Sequence, residues 1–537
     1  MLVYANKALS NNYRDTGINR TLKAMSAVSF AGQVTRNLEP QKVWSLFEEI
    51  SKIYRESDKK EYGENNKEIS DYLKNKLEKA GFKVEQKQEN KMGKYNLLAT
   101  RNMFPGKSEG IVLQAHMDMI CVAEGPELRD KDPKKPIKLD IEGDILKANN
   151  RTLGADNGIG LAVALAVAED SKFKHIPMQI IFTVNEETGM YGAIAVKPEE
   201  IKGKYFINLD SESYGKVIIG CAGMEDFEVE NKPVKTEPIG SDQYKKLTFS
   251  IKGANGSHSA TIYEGHLSPI REALKEVKKL SADTDIRLVS IVGGEKMNSM
   301  PMNTTVELLV PEKDARKVAA NLKQDLEDIN TTYKDKNKNM KTSVILGEDN
   351  LAANTRVIDS DFQDRLLQIL GEDLLVGVRS RYKENNNLKT SQNLGILKLI
   401  DGEITLSVLM RSSDKAEKQD QKNKTQELLS DLFKEEIKPT TDPIWQPKYS
   451  SELTKLAVKA YKEVGVKEPV IETEHGGLEN AQFAAKRPDV DQISVGPDIR
   501  EPHSIQESIK ISTVKGFYEF MEKLLEQINT KLFADKS

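Results

Sequence analysis

The 537-residue chain predicts an α/β fold, a mainly parallel central sheet interrupted by a large inserted α+β domain. Three observations predict it. Short, β-rich apolar runs alternate with segments of helical periodicity. Residues 158–169, GIGLAVALAVAE, are apolar nearly all round, as a helix packed under a sheet is. Around residues 232–240, KPVKTEPIG, two prolines and a glycine break the pattern, and the first rhythm returns only after 438–447.

Each element has its own local pattern. Residues 40–56 have helical spacing, and so do 65–80, where Ile69, Leu73, Leu77 and Ala80 share a face. Strands are predicted at 111–115, 179–184, 205–209 and 216–220, with the apolar helix between the first two. That alternation indicates a parallel sheet covered on both faces. Beyond the break come a strand at 247–251, a helix at 269–280, strands at 286–292 and 304–310, and a helix at 312–329. A weaker echo comes next: a strand near 342–346, a helix near 361–370, a strand at 404–410 and a charged helix near 414–435. This reads as two split βαβ units. The last part holds a helix at 450–464, a strand at 492–495 and a long amphipathic helix at 512–528. The division expected is an extension (1–39), a first catalytic part (40–235), the insertion or lid (236–437) and a second catalytic part (438–537).

Composition narrows the function. Lys and Arg total 79 against 83 Asp and Glu, a net charge of −4. This argues against nucleic acid or an anionic membrane surface as partner. No apolar run approaches the roughly 20 residues that span a bilayer. The two cysteines, Cys121 and Cys221, read as small core residues and suggest a reducing, cytoplasmic setting. Arg20 and Lys23 precede an Ala-, Ser- and Val-rich stretch at 24–34, which read generously is an export signal. The stretch is short and interrupted, and the simpler reading is an extension before a helix that starts near Pro40.

The chemistry lies just past the end of each strand. The strand at 111–115 runs into His116, Met117 and Asp118, and that at 179–184 into Asn185, Glu186 and Glu187. The strand at 205–209 runs into Asp210, and a short loop leads from that at 492–495 to His503. Ligand sites in open α/β sheets form at the carboxyl ends of strands, so four strands deliver imidazoles and carboxylates to one edge. Asp156 lies in GADNG, where glycines let the backbone bend sharply. Such ligands suit zinc, and a carboxylate can bridge two ions about 3.5–4 Å apart. Taken singly, each segment has a plainer reading, since acids at strand ends cap helices and a His beside Asp is often a surface pair. Their joint occurrence tips the balance. Of six histidines, His116, His258, His475 and His503 sit in loop or glycine-rich settings beside strands, whereas His175 and His266 do not.

The segments VLQAHMDM, TLGADNGIG, NEETGMYGA, NLDSE, GCAG and GPDIREPHS, in this order, resemble the M20 metallopeptidases. Their aminoacyl-histidine (Xaa-His) dipeptidase branch is the closer match, from about residue 40 to the C-terminus. The resemblance implies a di-zinc catalytic domain with an inserted lid. Two zinc ions would bind per chain (cobalt or manganese as alternatives), a dipeptide would be the substrate, and two copies would pair through the lid. His116 and Asp210 would hold one metal, Glu187 and His503 the other, and Asp156 would bridge them, with a cis peptide before Asn157. Asp118 would accept the second ring N–H of His116. Glu186 would be the general base, taking a proton from a water between the metals and passing it to the leaving amine.

The lid assignments are softer. KGANGSHSA resembles the family's lid histidine motif, making His258 a candidate oxyanion donor, its plainer reading being a turn histidine. GGEKMNSMP makes Asn298 a substrate contact. MRSS sets Arg411 at a strand end, where it could clamp a peptide carboxylate or simply form a surface ion pair. EHGGLEN resembles the family's HAGLEC and brings His475 and Glu479 near the substrate without fixing their roles. The segment SKIYRESDKKEYGE lacks the Pro- and His-rich stretch common in the family, and the N-terminal extension is unusual. Two other readings stand beside the dipeptidase: an N-acyl amino acid amidohydrolase, and a non-catalytic peptide-binding module, which would not need Glu186.

Overall fold

The computed structural model describes residues 34–534 apart from 58–63, 89–91, 104–109, 125–135, 240–242, 257–266, 348–354, 371–374 and 384–385. Nearly all of the stretch read for an export signal, together with His258 and His266, lies outside the described residues.

Two sheets organise the chain. The first has eight strands in the order Lys83–Gln86, Leu97–Arg101, Met178–Thr183, Ile111–His116, Tyr205–Asn208, Asp491–Ser494, Lys216–Cys221 and Val470–Glu474. Its central four strands, from Met178–Thr183 to Asp491–Ser494, run parallel. Ile111–His116 and Met178–Thr183 are buried at every position, which explains why they read as continuous apolar runs rather than alternations. The helix Ala155–Glu169 buries every residue from Asn157 to Ala168, as its all-round apolar sequence predicts. Gln41–Ile50 packs Val43, Trp44, Phe47 and Ile50 into the same core. A second long helix, Ile511–Ala534, buries Phe517, Phe520, Leu524 and Ile528 in it. Each such side chain contributes roughly 1.5–3 kcal/mol through burial.

The second sheet has nine strands, all paired antiparallel, over a separate core. It is one continuous sheet where the sequence suggested two split βαβ units. It also begins earlier than expected. Gly223–Pro233 is already one of its strands, pairing with Glu403–Ser412, so the break read at 232–240 lies inside the lid, not at its border. The prolines there end strands: Pro233 closes one, and Pro238 closes Thr236–Pro238, which pairs separately with Arg356–Ile358. A residue without an N–H suits such positions. The two crossings between domains run together, since Thr440–Thr441 pairs with Gly223–Pro233 and Cys221 bridges to Trp445.

Candidate active site

The carboxyl edge of the first sheet gathers the expected ligands. His116 ends its strand, 1% exposed, with Nε2 3.0 Å from Asp156 Oδ1 and 3.2 Å from Asp210 Oδ1. His503 places Nε2 3.0 Å from the other oxygen of Asp156 and 2.7 Å from Glu187 Oε2. Asp156 therefore gives one oxygen to each of two triads. Among the described residues, three ligand groups have donor atoms within 4.8 Å of one another: His116–Asp156–Asp210, Asp156–Glu187–His503 and His116–Glu186–Glu187. Tetrahedral zinc with bonds of roughly 2.0–2.1 Å needs ligand atoms about 3.3 Å apart, and the N–O separations here, 2.7–3.2 Å, need open only slightly to accept an ion.

The charges also call for cations. Burial pushes the Glu187 carboxyl up to about 7, with Asp156 adding to it. Burial likewise raises Asp210 to about 6, and raises Glu186 well above the ordinary range, with Glu187 and Asp210 adding to it. Burial works against the charged form of His503, yet Glu187 and Asp156 carry it up to about 12. Protons thus compensate carboxylates at the positions where two dications would do so, and the donor set fits such ions.

Local structure aims these groups. The Asp156–Asn157 peptide is cis, at the start of the buried helix. Asn157 Nδ2 donates to Asp210. Asp118 is fully buried and takes the backbone N–H groups of Glu186 at 3.1 Å and Glu187 at 3.2 Å. Its expected link to His116 differs in detail: the ring Nδ1 is 3.1 Å from the Asp118 backbone carbonyl and 3.6 Å from its carboxylate. The carbonyl is the hydrogen-bond acceptor, and the carboxylate is committed to the Glu186–Glu187 turn.

Three residues escaped the sequence reading. Arg55, 1% exposed, donates to the carbonyls of Met117 at 3.1 Å, Asp118 at 2.9 Å and Gly154 at 2.5 Å. Ser57 donates its hydroxyl to Asp118 at 2.5 Å. Glu507, 2% exposed, accepts the N–H groups of Gly154 at 2.8 Å, Ala155 at 2.7 Å and Asp156 at 3.3 Å. The first two lie in the very segment that departs from the family pattern, and an acid shortly after His503 was the one signal for the third.

The remaining candidates scatter. Asn298 is exposed in a turn of the lid. Arg411 is buried on Glu403–Ser412, with Nη1 3.0 Å from Met224 Sδ and Nε unpartnered among the described residues, so the surface ion pair is not what forms. Met224 and Met190, the latter just beyond Glu187, both close on Gly477. His475 Nε2 lies 2.8 Å from Ser391 Oγ, tying the catalytic domain to the lid strand beside Arg411. Glu479 is fully buried, its carboxylate taking hydrogen bonds from Gln114 and Thr183.

Paired triads sharing one carboxylate, with a further acid alongside, place the protein among the metal-dependent hydrolases of the α/β class. More narrowly, the chain belongs to peptidase family M20/M25/M40, whose model matches residues 112–527. It is 30% identical over 505 residues to the cytosol non-specific dipeptidase of Escherichia coli (strain K12), covering 92% of this chain and 99% of that one. Among solved structures it is similar to the aminoacylhistidine dipeptidase of Vibrio alginolyticus, with TM-score 0.71, 27% identity, and coverage of 92% and 97%. A tripeptidase of Staphylococcus aureus shares the fold at TM-score 0.50 and 15% identity, covering 92% and 99%.

Proposed function

We propose that the protein is a metal-dependent dipeptidase acting on dipeptides with a free amino group, Xaa-His among them. One observation carries the reading: Asp156 is shared between the two triads while Glu186 stands beside them with its own side chain uncommitted to His503. The similarity to two dipeptidases along nearly their whole length supports the substrate class.

His116 and Asp210 would hold one zinc ion, Glu187 and His503 a second, and Asp156 both. When bound, such a pair polarises a carbonyl oxygen and acidifies water. Glu186 then does the proton work. Burial raises its pKa, a direction that favours proton uptake. It takes a proton from the attacking water and delivers it to the leaving amine as the C–N bond breaks. Asp118 keeps the Glu186 backbone in place, and Arg55 holds the turns on either side. Arg411, buried and under-paired, is suited to a peptide carboxylate, with His475 and Asn298 as further substrate contacts and His258, outside the described residues, as the oxyanion donor. The cytoplasm is the proposed location, supported by two cysteines that remain free. Pairing of two copies would use the open lid edge at Lys341–Leu346, where Ile345 is exposed.

The test is hydrolysis of β-Ala-His, Gly-His and their N-acetyl forms by metal-stripped protein, with and without zinc. Zinc-dependent cleavage of the free-amine peptides alone is expected. Cleavage of only the acetylated forms would make the protein an amidohydrolase, and zinc binding without any cleavage would make it a binding module.

A further inference from the structure

Beneath the ligands, a chain of buried polar side chains crosses the four central strands. Ser494 Oγ donates to Asn208 Oδ1 at 2.5 Å, and Asn208 Nδ2 donates to Gln114 Oε1 at 2.6 Å. Gln114 Nε2 donates to Glu479 Oε2, and also lies 3.2 Å from Thr183 Oγ1. Thr183 Oγ1 donates to the same Glu479 oxygen at 2.7 Å. One side chain comes from each of Met178–Thr183, Ile111–His116, Tyr205–Asn208 and Asp491–Ser494. All five residues are fully buried. Every donor points the same way, toward Glu479.

We infer that Glu479 is a positioning residue that fixes the polarity of this ladder and, through it, the backbone at Asp210. An amide side chain can sit either way round, and its neighbours decide which. Glu479 Oε2 is an acceptor whether the group is ionised or carries a proton on Oε1. Facing it, Gln114 must present its NH2 and so turns its oxygen to Asn208. Asn208 must then present its own NH2 to Gln114, which leaves its oxygen for Ser494 and for the Asp210 backbone N–H at 3.2 Å. If the acceptor at Glu479 is removed, Gln114 is free to flip. Asn208 flips with it, and an NH2 then faces the Asp210 N–H. Two donors opposed in a buried site must separate, and the strand end carrying Asp210 moves. His116 follows Gln114 on the neighbouring strand as Asp210 follows Asn208, so the two unshared ligands of one metal each stand two residues beyond a ladder side chain. The short helix Asn480–Lys486, which begins at Glu479, thus acts on the ligands through this ladder.

This inference rests on the ligand assignment above, and it is tested by metal binding rather than by turnover alone. Zinc affinity is measured by chelator competition, and cobalt-loaded protein is followed by its visible absorption, for the parent, Glu479→Leu and Glu479→Gln. Glutamine keeps an oxygen for Gln114 and Thr183, whereas leucine keeps none. Expected are a zinc affinity 10–100-fold lower in Glu479→Leu, a changed cobalt spectrum, and a lowered kcat with KM within about twofold. Glu479→Gln should restore all three. Where Glu479→Leu fails to fold, Gln114→Met breaks the same ladder and should give the same loss. A folded Glu479→Leu protein with parental affinity and spectrum would overturn the inference. So would a raised KM with metal binding intact, which would make Glu479 a substrate contact, or a Glu479→Gln protein as damaged as Glu479→Leu. A parent that bound no zinc would instead overturn the ligand assignment itself.

Discussion

Glu507→Ala should loosen the loop that carries Asp156 and weaken both metal sites together. In the folded protein the Glu507 carboxylate takes two short bonds from the Gly154 and Ala155 N–H groups, at 2.8 and 2.7 Å, and a longer one from Asp156. These are the free donors of a helix start, with no other acceptor within the helix. Hydrogen bonds to a charged group contribute about 1.5–3 kcal/mol each, so the two short ones give roughly 3–6 kcal/mol. Against this stands the cost of burying the carboxylate, which pushes its pKa up. A net loss of about 2–4 kcal/mol is expected, and about half of it in Glu507→Gln, which keeps one acceptor oxygen. Urea unfolding of the metal-free protein at neutral pH, followed by the fluorescence of Trp44 in the catalytic core, measures the first quantity. Chelator competition measures the second, where a 10–100-fold loss of zinc affinity is expected. A Glu507→Ala protein of parental stability and parental zinc affinity would refute the reasoning, because the loop would then hold Asp156 without its acceptor.

Glu186→Ala should retain zinc while kcat falls by about 10²–10⁴, the usual share of a general acid–base group; loss of metal in a metal-content assay would mean that Glu186 is a ligand. Gly160→Ala should destabilise by about 1–3 kcal/mol in thermal melts, even though alanine ordinarily favours a helix, because its Cβ would stand 2.7 Å from the Leu209 carbonyl. A stabilised variant would refute that. The Tyr205 hydroxyl, with Lys531 and Lys204, holds the Glu452 carboxyl down at about 2 against burial. A depressed carboxylate stabilises fully above its unfolded value near 4.5 and loses that contribution as pH falls toward 2. The side chain is 36% exposed, so screening leaves about 1 kcal/mol. The stability gap between parent and Glu452→Gln should therefore be present at pH 6 and vanish near pH 2; a gap that grew on acidification would refute the sign.

The proposed ligand cluster was legible because His116, Glu187 and Asp210 stand at the ends of apolar runs that read as buried strands, and because Asp156 lies between glycines at the head of an all-apolar helix. The part that was not legible depends on distance along the chain. Glu507 meets Gly154 across 353 residues and Arg55 meets Gly154 across 99, and neither carries a local pattern. The lid strand Leu388–Ile400 was missed because Thr390, Ser391, Gln392 and Asn393 look like a polar loop, yet all four are buried with partners across the sheet. The lid border was misplaced because prolines mark strand ends as readily as linkers. The family resemblance brought Glu479 near the substrate without fixing its role, and no local pattern shows that its side chain is fully buried against Gln114 and Thr183.

The strand Asp491–Ser494 sits between Tyr205–Asn208 and Lys216–Cys221, in the interior of the sheet, although nearly the whole chain precedes it. A polypeptide leaving the ribosome therefore carries His116, Asp156, Glu187 and Asp210 long before it has the strand that joins the two halves of their platform, or His503, which lies beyond that strand. The hydrolytic centre is therefore assembled late, after both halves of its platform have been made. A chain that stops short of Asp491 lacks both that strand and His503.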